Sequence, residues 1–244
     1  MINSNSTLRD LAIRVPGATG VLQDLRLDFC CGGERTLADA CAGGGLDVTQ
    51  VLSRLEAEAS PDVGHADQAQ WTRFGLADLV RHVLATYHAF TEEKLETLPD
   101  LADKVVATHG ARHPEVRGIA ATLEELKEDL LPHMMKEERI LFPYAEALES
   151  ARIRGGAPPR APFPSAAAPV AMMQREHERT GQLLRAVRDA AGGYLAPEDA
   201  CPTWRALLAG LAELDRDLML HIHFETAILF PRVLEEEQLL RTRA

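Results

Sequence analysis

Apolar residues after position 70 recur in steps of three and four, which is the spacing of one face of an α-helix. The second, third and fourth of four such stripes are regular, and each includes polar residues: Ile119, Leu123, Leu126, Leu130, His133, Glu137, Ile140 and Tyr144; Val170, Met173, His177, Leu184 and Val187; Leu207, Leu211, Leu214, Leu218, His221, Glu225 and Ile228. The pattern predicts four amphipathic helices packed as a bundle.

The first stripe is less regular than the others. Two neighbouring faces share its apolar residues, one with Leu84, His88, Thr91 and Leu95, the other with Leu76, Leu79, Val83, Tyr87 and Phe90. His88 therefore lies at the edge of an apolar stripe.

The polar residues of the stripes belong to an internal repeat. Residues 133–143 (HMMKEERILFP) and 221–231 (HIHFETAILFP) are identical at six of eleven positions. In both segments a His and a Glu lie one helical turn apart on the same face. His88 precedes the first pair by 45 residues, and His177 precedes the second by 44. Each half is therefore predicted to be a helical hairpin with one lone His and one His–Glu pair.

This arrangement indicates a dinuclear metal site at the bundle centre. A buried, unpaired carboxylate costs several kcal/mol, and no Lys or Arg lies on the stripes to neutralise Glu137 or Glu225. Metal cations remove that cost and also use the imidazoles. The competing interpretation makes each His an ordinary core residue with a backbone partner. The candidate ligands are His88, His133, Glu137, His177, His221 and Glu225.

The donor set indicates the metal. If Glu137 and Glu225 both bridge, the protein supplies four nitrogens and four oxygens. A solvent-derived oxo or hydroxo bridge then gives each ion about five ligands and leaves one position for a small molecule. Imidazole and carboxylate suit iron or manganese, and the repeats contain no Cys for a thiolate zinc site. With only two carboxylates, we expect ferrous iron to be held loosely enough to leave.

The other histidines are predicted to lie outside the site. His82 is about 240° around the helix from His88, and His223 points nearly opposite to His221. His109 and His113 fall in the connection before Pro114, where a helix start is expected.

Composition narrows the class of protein. Leu, Ala, Glu and Arg dominate after residue 70, as in an all-α protein. A formal net charge of −11 argues against a nucleic-acid or membrane-surface partner. The N-terminal residues lack the features of a signal peptide, and no apolar run of about 18 residues occurs. We therefore expect a cytoplasmic protein with reduced thiols.

The chain is predicted to divide into a small helical domain, residues 1–60, and the bundle, residues 70–244, whose hairpins are joined by a loop at 155–169. The small domain contains Cys30 and Cys31, followed by two glycines, which predicts an accessible thiol pair near a turn. A purely structural role in a tight corner is the alternative. Cys41 and Cys201 are predicted to be ordinary buried thiols. A domain this small is expected to dock either on the bundle or on a second copy of itself, and the second arrangement would make the protein a homodimer.

Four segments together resemble a known family. They are Phe-Cys-Cys-Gly-Gly, residues 133–143, Glu176-His177-Glu178 and residues 221–231. In order and over almost the whole chain, they resemble the di-iron iron–sulfur cluster repair proteins. The resemblance implies a hemerythrin-like bundle that holds two irons through the same six residues. It also explains the first helix, because the ligand of that family follows a Tyr, as His88 follows Tyr87.

The resemblance implies a stress-response protein that repairs iron–sulfur clusters damaged by nitric oxide or oxidative stress. Iron donation or nitric oxide removal are the expected routes, with Cys30 and Cys31 contacting the damaged client protein. One alternative is a module that binds or senses nitric oxide without repair. Another is an enzyme that reduces nitric oxide at the di-iron site.

Overall fold

A computed structural model describes residues 2–58 and 68–243. Apart from an isolated β-bridge between Thr7 and Thr36, the regular structure in these ranges is helical, which confirms the all-α prediction. The N-terminal part contains four short helices: α1 (Leu8–Arg14), α2 (Ala18–Asp24), α3 (Leu37–Gly44) and α4 (Val48–Glu58). A 3₁₀ turn over Gln68–Arg73 precedes the bundle.

Four long helices form the bundle, and three of them contain a π-helical segment. In chain order they are α5 (Leu76–His82), π-helical Val83–His88 and α6 (Ala89–His109); α7 (Glu115–Lys136), π-helical Glu137–Leu141 and α8 (Phe142–Arg154); α9 (Ala167–Ala190); and α10 (Pro202–Phe224), π-helical Glu225–Leu229 and α11 (Phe230–Arg243). Helix α6 packs against α7 and α10, and α7 also packs against α9. None of the helices in the described part of the chain has the length and apolar character needed to cross a bilayer.

Two apolar clusters fill the bundle. One contains Leu79, Leu148 and Phe230, and the other contains Leu98, Leu126 and Leu211. Each long helix passes from one cluster to the other near the His of its stripe. The polar residues of the stripes are therefore enclosed between two apolar regions.

The π-helical segments change the helical phase, because each inserts an extra residue into a turn. The predicted core position Ile140 is wrong: its side chain is 42% exposed, whereas the next residue, Leu141, is buried. At the equivalent place in the second repeat, Ile228 is buried as predicted. In the first helix, the π-helical segment Val83–His88 lies where the buried positions shift from the face of Val83 and Tyr87 to the face of His88 and Thr91, which explains the irregular stripe. A π-helical segment does not by itself explain the exposure of Ile140, because Ile228 lies in an equivalent segment and is buried.

The N-terminal helices dock on the bundle. Their apolar core, which includes Leu22, Phe29 and Leu37, extends onto Met219 and Ile222 of α10. Gln23 adds a hydrogen bond from its side-chain amide to the carbonyl oxygen of Arg216, 2.8 Å away. The expected docking of a small domain is thus met within one chain.

The two thiols outside the Cys pair differ in burial. Cys41 is buried, as predicted. Cys201 is only partly buried, so that prediction is wrong. It occupies the position before the first residue of α10 and packs at the margin of an apolar cluster of the bundle.

Candidate metal centre

The structure brings all six predicted residues together. They form two groups, His88, Glu137, His221 and Glu225, and His133, Glu137, His177 and Glu225, and within each group the potential ligand atoms lie within 4.8 Å of one another. We call this set the six-residue centre. Both groups share both carboxylates, which is the arrangement that two bridged cations require.

The Nε2 atoms of the histidines face the two carboxylates. In one group, His221 Nε2 is 3.2 Å from Glu225 Oε1, and His88 Nε2 is 3.5 Å from Glu137 Oε2. In the other, His133 Nε2 is 3.4 Å from Glu137 Oε2 and His177 Nε2 is 3.2 Å from Glu225 Oε2. Every imidazole therefore presents the same nitrogen to the centre.

The centre fits metal ions because its buried polar atoms lack normal partners. Glu137 and Glu225 are completely buried, and all four of their carboxylate oxygens lack a hydrogen bond within the described residues. The Nε2 atoms of His88 and His221 are in the same state. Buried polar groups are almost always paired, so this many unpaired oxygen and nitrogen donors around shared carboxylates is the chemistry of a cation site.

The electrostatics of the centre agree with this interpretation. Burial lowers the pKa of His88, but Glu137 and Glu225 outweigh it and raise that pKa to about 10. Burial raises the pKa of Glu225, yet the surrounding histidines hold it well below its usual range. Glu225 thus retains its negative charge and attracts a positive partner. Burial dominates at His177, whose pKa is lowered, so its imidazole stays neutral and able to ligate.

Outer contacts orient three of the four imidazoles. His88 Nδ1 is 2.7 Å from Glu138 Oε1, and His133 Nδ1 is 2.9 Å from Glu176 Oε2. His177 Nδ1 has the weaker contact, 3.5 Å from Thr226 Oγ1. Such contacts fix the tautomer of a ligating His and leave Nε2 free to face the metal.

Sequence reasoning missed these outer partners, although their positions carried a signal. Glu138 follows Glu137 directly, and Glu176 precedes His177. An acidic residue next to a candidate ligand on a helix points about 100° away from it, toward the neighbouring helix. Lys136 makes an ion pair with Glu176, which holds that carboxylate in place.

Within the described residues, none of the histidines predicted to lie outside the six-residue centre belongs to it. His82 stacks on Trp71, with ring centroids 4.0 Å apart. His223 is buried and faces the N-terminal helices. Its ring meets that of Phe29 edge-on at 5.2 Å, and burial lowers its pKa to about 4. His109 belongs to helix α6 rather than to a connection, and its ring lies 4.9 Å from that of Trp204.

The Cys pair lies beside the centre. Cys31 is partly buried, and its thiol donates to the carbonyl oxygen of His177 over 3.4 Å. Cys30 is buried, so the prediction of an accessible pair is wrong for this residue. Both thiols line a cavity of about 190 Å³ that also reaches His177 and Thr226.

Glycines allow this close approach. A Cβ atom at Gly181 of α9 would be 3.1 Å from Cys31 Sγ, so glycine leaves the space that the thiol occupies. Gly32 and Gly33 approach backbone carbonyl oxygens so closely that a Cβ atom would lie 2.8 and 2.7 Å from them. The sequence Cys-Cys-Gly-Gly therefore folds as a tight turn against α9.

Known proteins resemble this chain in both parts. Residues 79–233 match the family described as Hemerythrin HHE cation binding domain, and residues 4–59 match a Domain of Unknown function (DUF542). The iron-sulfur cluster repair protein YtfE of Musicola paradisiaca is 38% identical, over 95% of this chain and 97% of its own length. The protein of the same name from Edwardsiella ictaluri is 40% identical, over 93% and 96%. A probable iron-sulfur cluster repair protein of Haemophilus influenzae is 35% identical, over 94% and 97%.

Proposed function

We propose, for a chain that belongs to the iron–sulfur cluster repair protein family, that the six-residue centre holds two iron ions. These ions serve the repair of damaged clusters. The observation that carries the proposal is the sharing of Glu137 and Glu225 by two buried His–Glu groups. The proposed ligands are His88, His133, Glu137, His177, His221 and Glu225.

Iron is the proposed metal because the donor set is nitrogen and oxygen. Imidazole and carboxylate suit iron, whereas the thiols of this chain lie outside the six-residue centre. When bound, a pair of iron ions supplies either releasable ferrous iron or an open coordination position for nitric oxide. With only two carboxylates, the centre retains ferrous iron weakly, which favours iron donation as the route of repair.

The protein's own residues prepare the centre for this chemistry. Glu138 and Glu176 hold the rings of His88 and His133 in one orientation. The ring of Tyr87 stacks on His221 at 5.3 Å and nearly parallel, which fixes a third ring. The two apolar clusters exclude water from both sides. The protein therefore binds and orients, and the reactive properties come from the metal.

Cys30 and Cys31 are proposed to act between the six-residue centre and the client. The thiol of Cys31 contacts the backbone carbonyl group of His177, so it lies directly beside a proposed ligand. Thiolates bind iron and exchange with other thiols, so the pair suits contact with a damaged cluster or its Cys ligands. The clients are proposed to be iron–sulfur proteins of the cytoplasm.

The decisive experiment is restoration of a damaged client. A dehydratase whose cluster has been damaged by nitric oxide is incubated with the iron-loaded protein, and its activity is followed. We expect recovery with the unaltered protein and with His82→Ala, and none with Glu137→Ala. Recovery with Glu137→Ala would contradict the proposed role of the centre. Continuous formation of nitrous oxide without client recovery would instead support a nitric oxide reductase.

A further inference from the structure

The Cys-Cys-Gly-Gly turn brings a second set of metal-binding atoms together outside the six-residue centre. Asp28, Cys30 and Cys31 each offer one ligand atom, and these atoms lie within 4.8 Å of one another. We propose that these three residues form a separate site for one thiophilic divalent cation, next to the bundle centre but chemically distinct from it.

The distances between the atoms fit a single ion. The two Sγ atoms are 3.7 Å apart, and two thiolates bound at about 2.3 Å to one tetrahedral ion are roughly 3.8 Å apart. Asp28 Oδ1 is 3.2 Å from Cys30 Sγ; a sulfur and an oxygen on such an ion are roughly 3.5 Å apart. The three atoms can therefore receive a cation with shifts of a few tenths of an ångström.

The carboxylate of Asp28 is already oriented. Its Oδ1 atom accepts hydrogen bonds from the backbone N–H groups of Cys31 and Gly32, at 2.9 and 3.2 Å. Its Oδ2 atom is 3.2 Å from Arg185 Nη1. These contacts fix the oxygen toward the thiols and offset part of the negative charge of two thiolates and a carboxylate.

The surroundings leave one side of the site open. Cys31 is only partly buried, and the cavity of about 190 Å³ beside the thiols is lined by Arg9, Gln174 and Glu178. A water molecule or an incoming thiolate can complete a tetrahedron from this cavity. Binding replaces the two thiol protons with one cation, and no oxidation state changes.

The position of the site suggests its natural cation. The same cavity also reaches His177 and Thr226 of the bundle, so a cation at the thiols lies beside one of the proposed ligands of the six-residue centre. The proposed natural cation is ferrous iron that passes between the six-residue centre and a client protein. That last assignment rests on the proposed function, whereas the existence of the site does not.

The test uses Co²⁺ as the probe on the full-length, iron-loaded and reduced protein without oxygen. Thiolate ligation gives an intense near-ultraviolet charge-transfer band that His and carboxylate ligands do not give. We expect one Co²⁺ per chain with this band. Cys30→Ser with Cys31→Ser should abolish it, and Cys31→Ser alone should weaken it. The matched control, Cys41→Ser with Cys201→Ser, should keep it.

Asp28→Asn distinguishes a site with three ligands from one in which only the two thiols bind the cation. The substitution retains the shape of the side chain but removes its charge, and we expect Co²⁺ affinity to fall at least about tenfold, the lower end of the effect of even an outer-shell partner. A missing band, one Co²⁺ shared by two chains, or a band unaffected by the double Cys30/Cys31 substitution would overturn the proposal. Iron content, measured on the same samples, reports the six-residue centre independently.

Discussion

His221 and His223 lie two residues apart on α10 and face different parts of the molecule. His221 points its Nε2 atom at Glu225 in the six-residue centre, whereas His223 packs against Phe29 of the N-terminal part. One stretch of helix therefore contributes both to the proposed metal site and to the surface on which the N-terminal helices dock.

The two shared carboxylates are expected to control both ions at once. The unaltered protein should contain about two irons per chain. Glu137→Ala or Glu225→Ala removes a donor common to both groups, so each substitution should lower occupancy at both positions together. Metal analysis measures the iron, and Glu146→Ala, at an exposed position on α8, is the control. Full iron content in the double Glu variant would refute the assignment.

The histidines should separate into ligands and other residues. His88→Ala and His177→Ala each remove one nitrogen donor, so iron should be lost chiefly from one of the two positions. His82→Ala should retain all the iron, because the side chain stacks on Trp71 instead. Iron titration of the three variants makes the comparison. If His82→Ala lost its iron while His88→Ala retained it, the first helix would present His82 and not His88 to the six-residue centre.

His223→Ala should change stability without changing iron content. The side chain is buried, packs on Phe29 and is hydrogen-bonded to the Phe29 backbone. Its removal should lower the free energy of unfolding by about 2–3 kcal/mol. Urea unfolding and metal analysis on the same preparation test the two statements. An unchanged unfolding midpoint with lost iron would reverse the roles given to His221 and His223.

The outer carboxylates, Glu138 and Glu176, should tune the affinity of the six-residue centre for iron. Glu138→Gln and Glu176→Gln keep the size of the side chain but weaken its hold on His88 and His133. Iron affinity should fall about 10- to 100-fold in each case. Competition with a chelator measures the affinity, and Glu146→Gln serves as the exposed control. Equal affinity in all three variants would show that the rings are oriented by packing alone.

Glu237 should make stability depend on acid. This buried carboxylate accepts hydrogen bonds from Tyr144 at 2.7 Å, Ser165 at 2.6 Å and the Ala166 N–H group at 3.0 Å. Burial raises its pKa, but these bonds outweigh that and lower the pKa from its ordinary 4.5. The contribution is therefore complete well above pH 4.5 and is lost as the pH falls through the lower folded-state value.

Glu237→Gln measures this contribution. The substitution should lower the free energy of unfolding by about 2 kcal/mol at pH 7, and the difference from the unaltered protein should shrink toward pH 3. The exposed Glu235→Gln is the control. A difference that stays constant between pH 7 and pH 3 would exclude the carboxylate as its source. Urea unfolding at both pH values is the measurement.

The sequence predicts the bundle and its polar residues well because both follow from helical period. Leu126, Leu184 and Leu211 are buried as the stripes require. A His and a Glu four residues apart on a core stripe must face the same region, so the six-residue centre is readable without coordinates. The internal repeat adds the second half of the site.

The parts that the sequence leaves open break that period or depend on tertiary contacts. A π-helical turn adds one residue, and in the sequence only the irregular first stripe indicates such a turn. Nothing in the sequence indicates that Ile140 is exposed. Cys30 is buried in the apolar cluster of the N-terminal part, a tertiary arrangement that local sequence does not determine. The outer contacts of Glu138 and Glu176 cross between helices, so their positions next to proposed ligands signal them, but only the packed helices show which imidazole each one contacts.

All six proposed ligands lie more than two turns from either end of their long helices. Helix ends fray first and exchange their amide hydrogens fastest, whereas helix centres open last. Fraying therefore leaves every proposed ligand in place. An ion can leave only through rotation of side chains or through opening of the whole bundle, and the two routes differ in rate. Iron release that is much faster than exchange of the amides around His133 identifies the first route, in which the backbone stays closed while the metal departs.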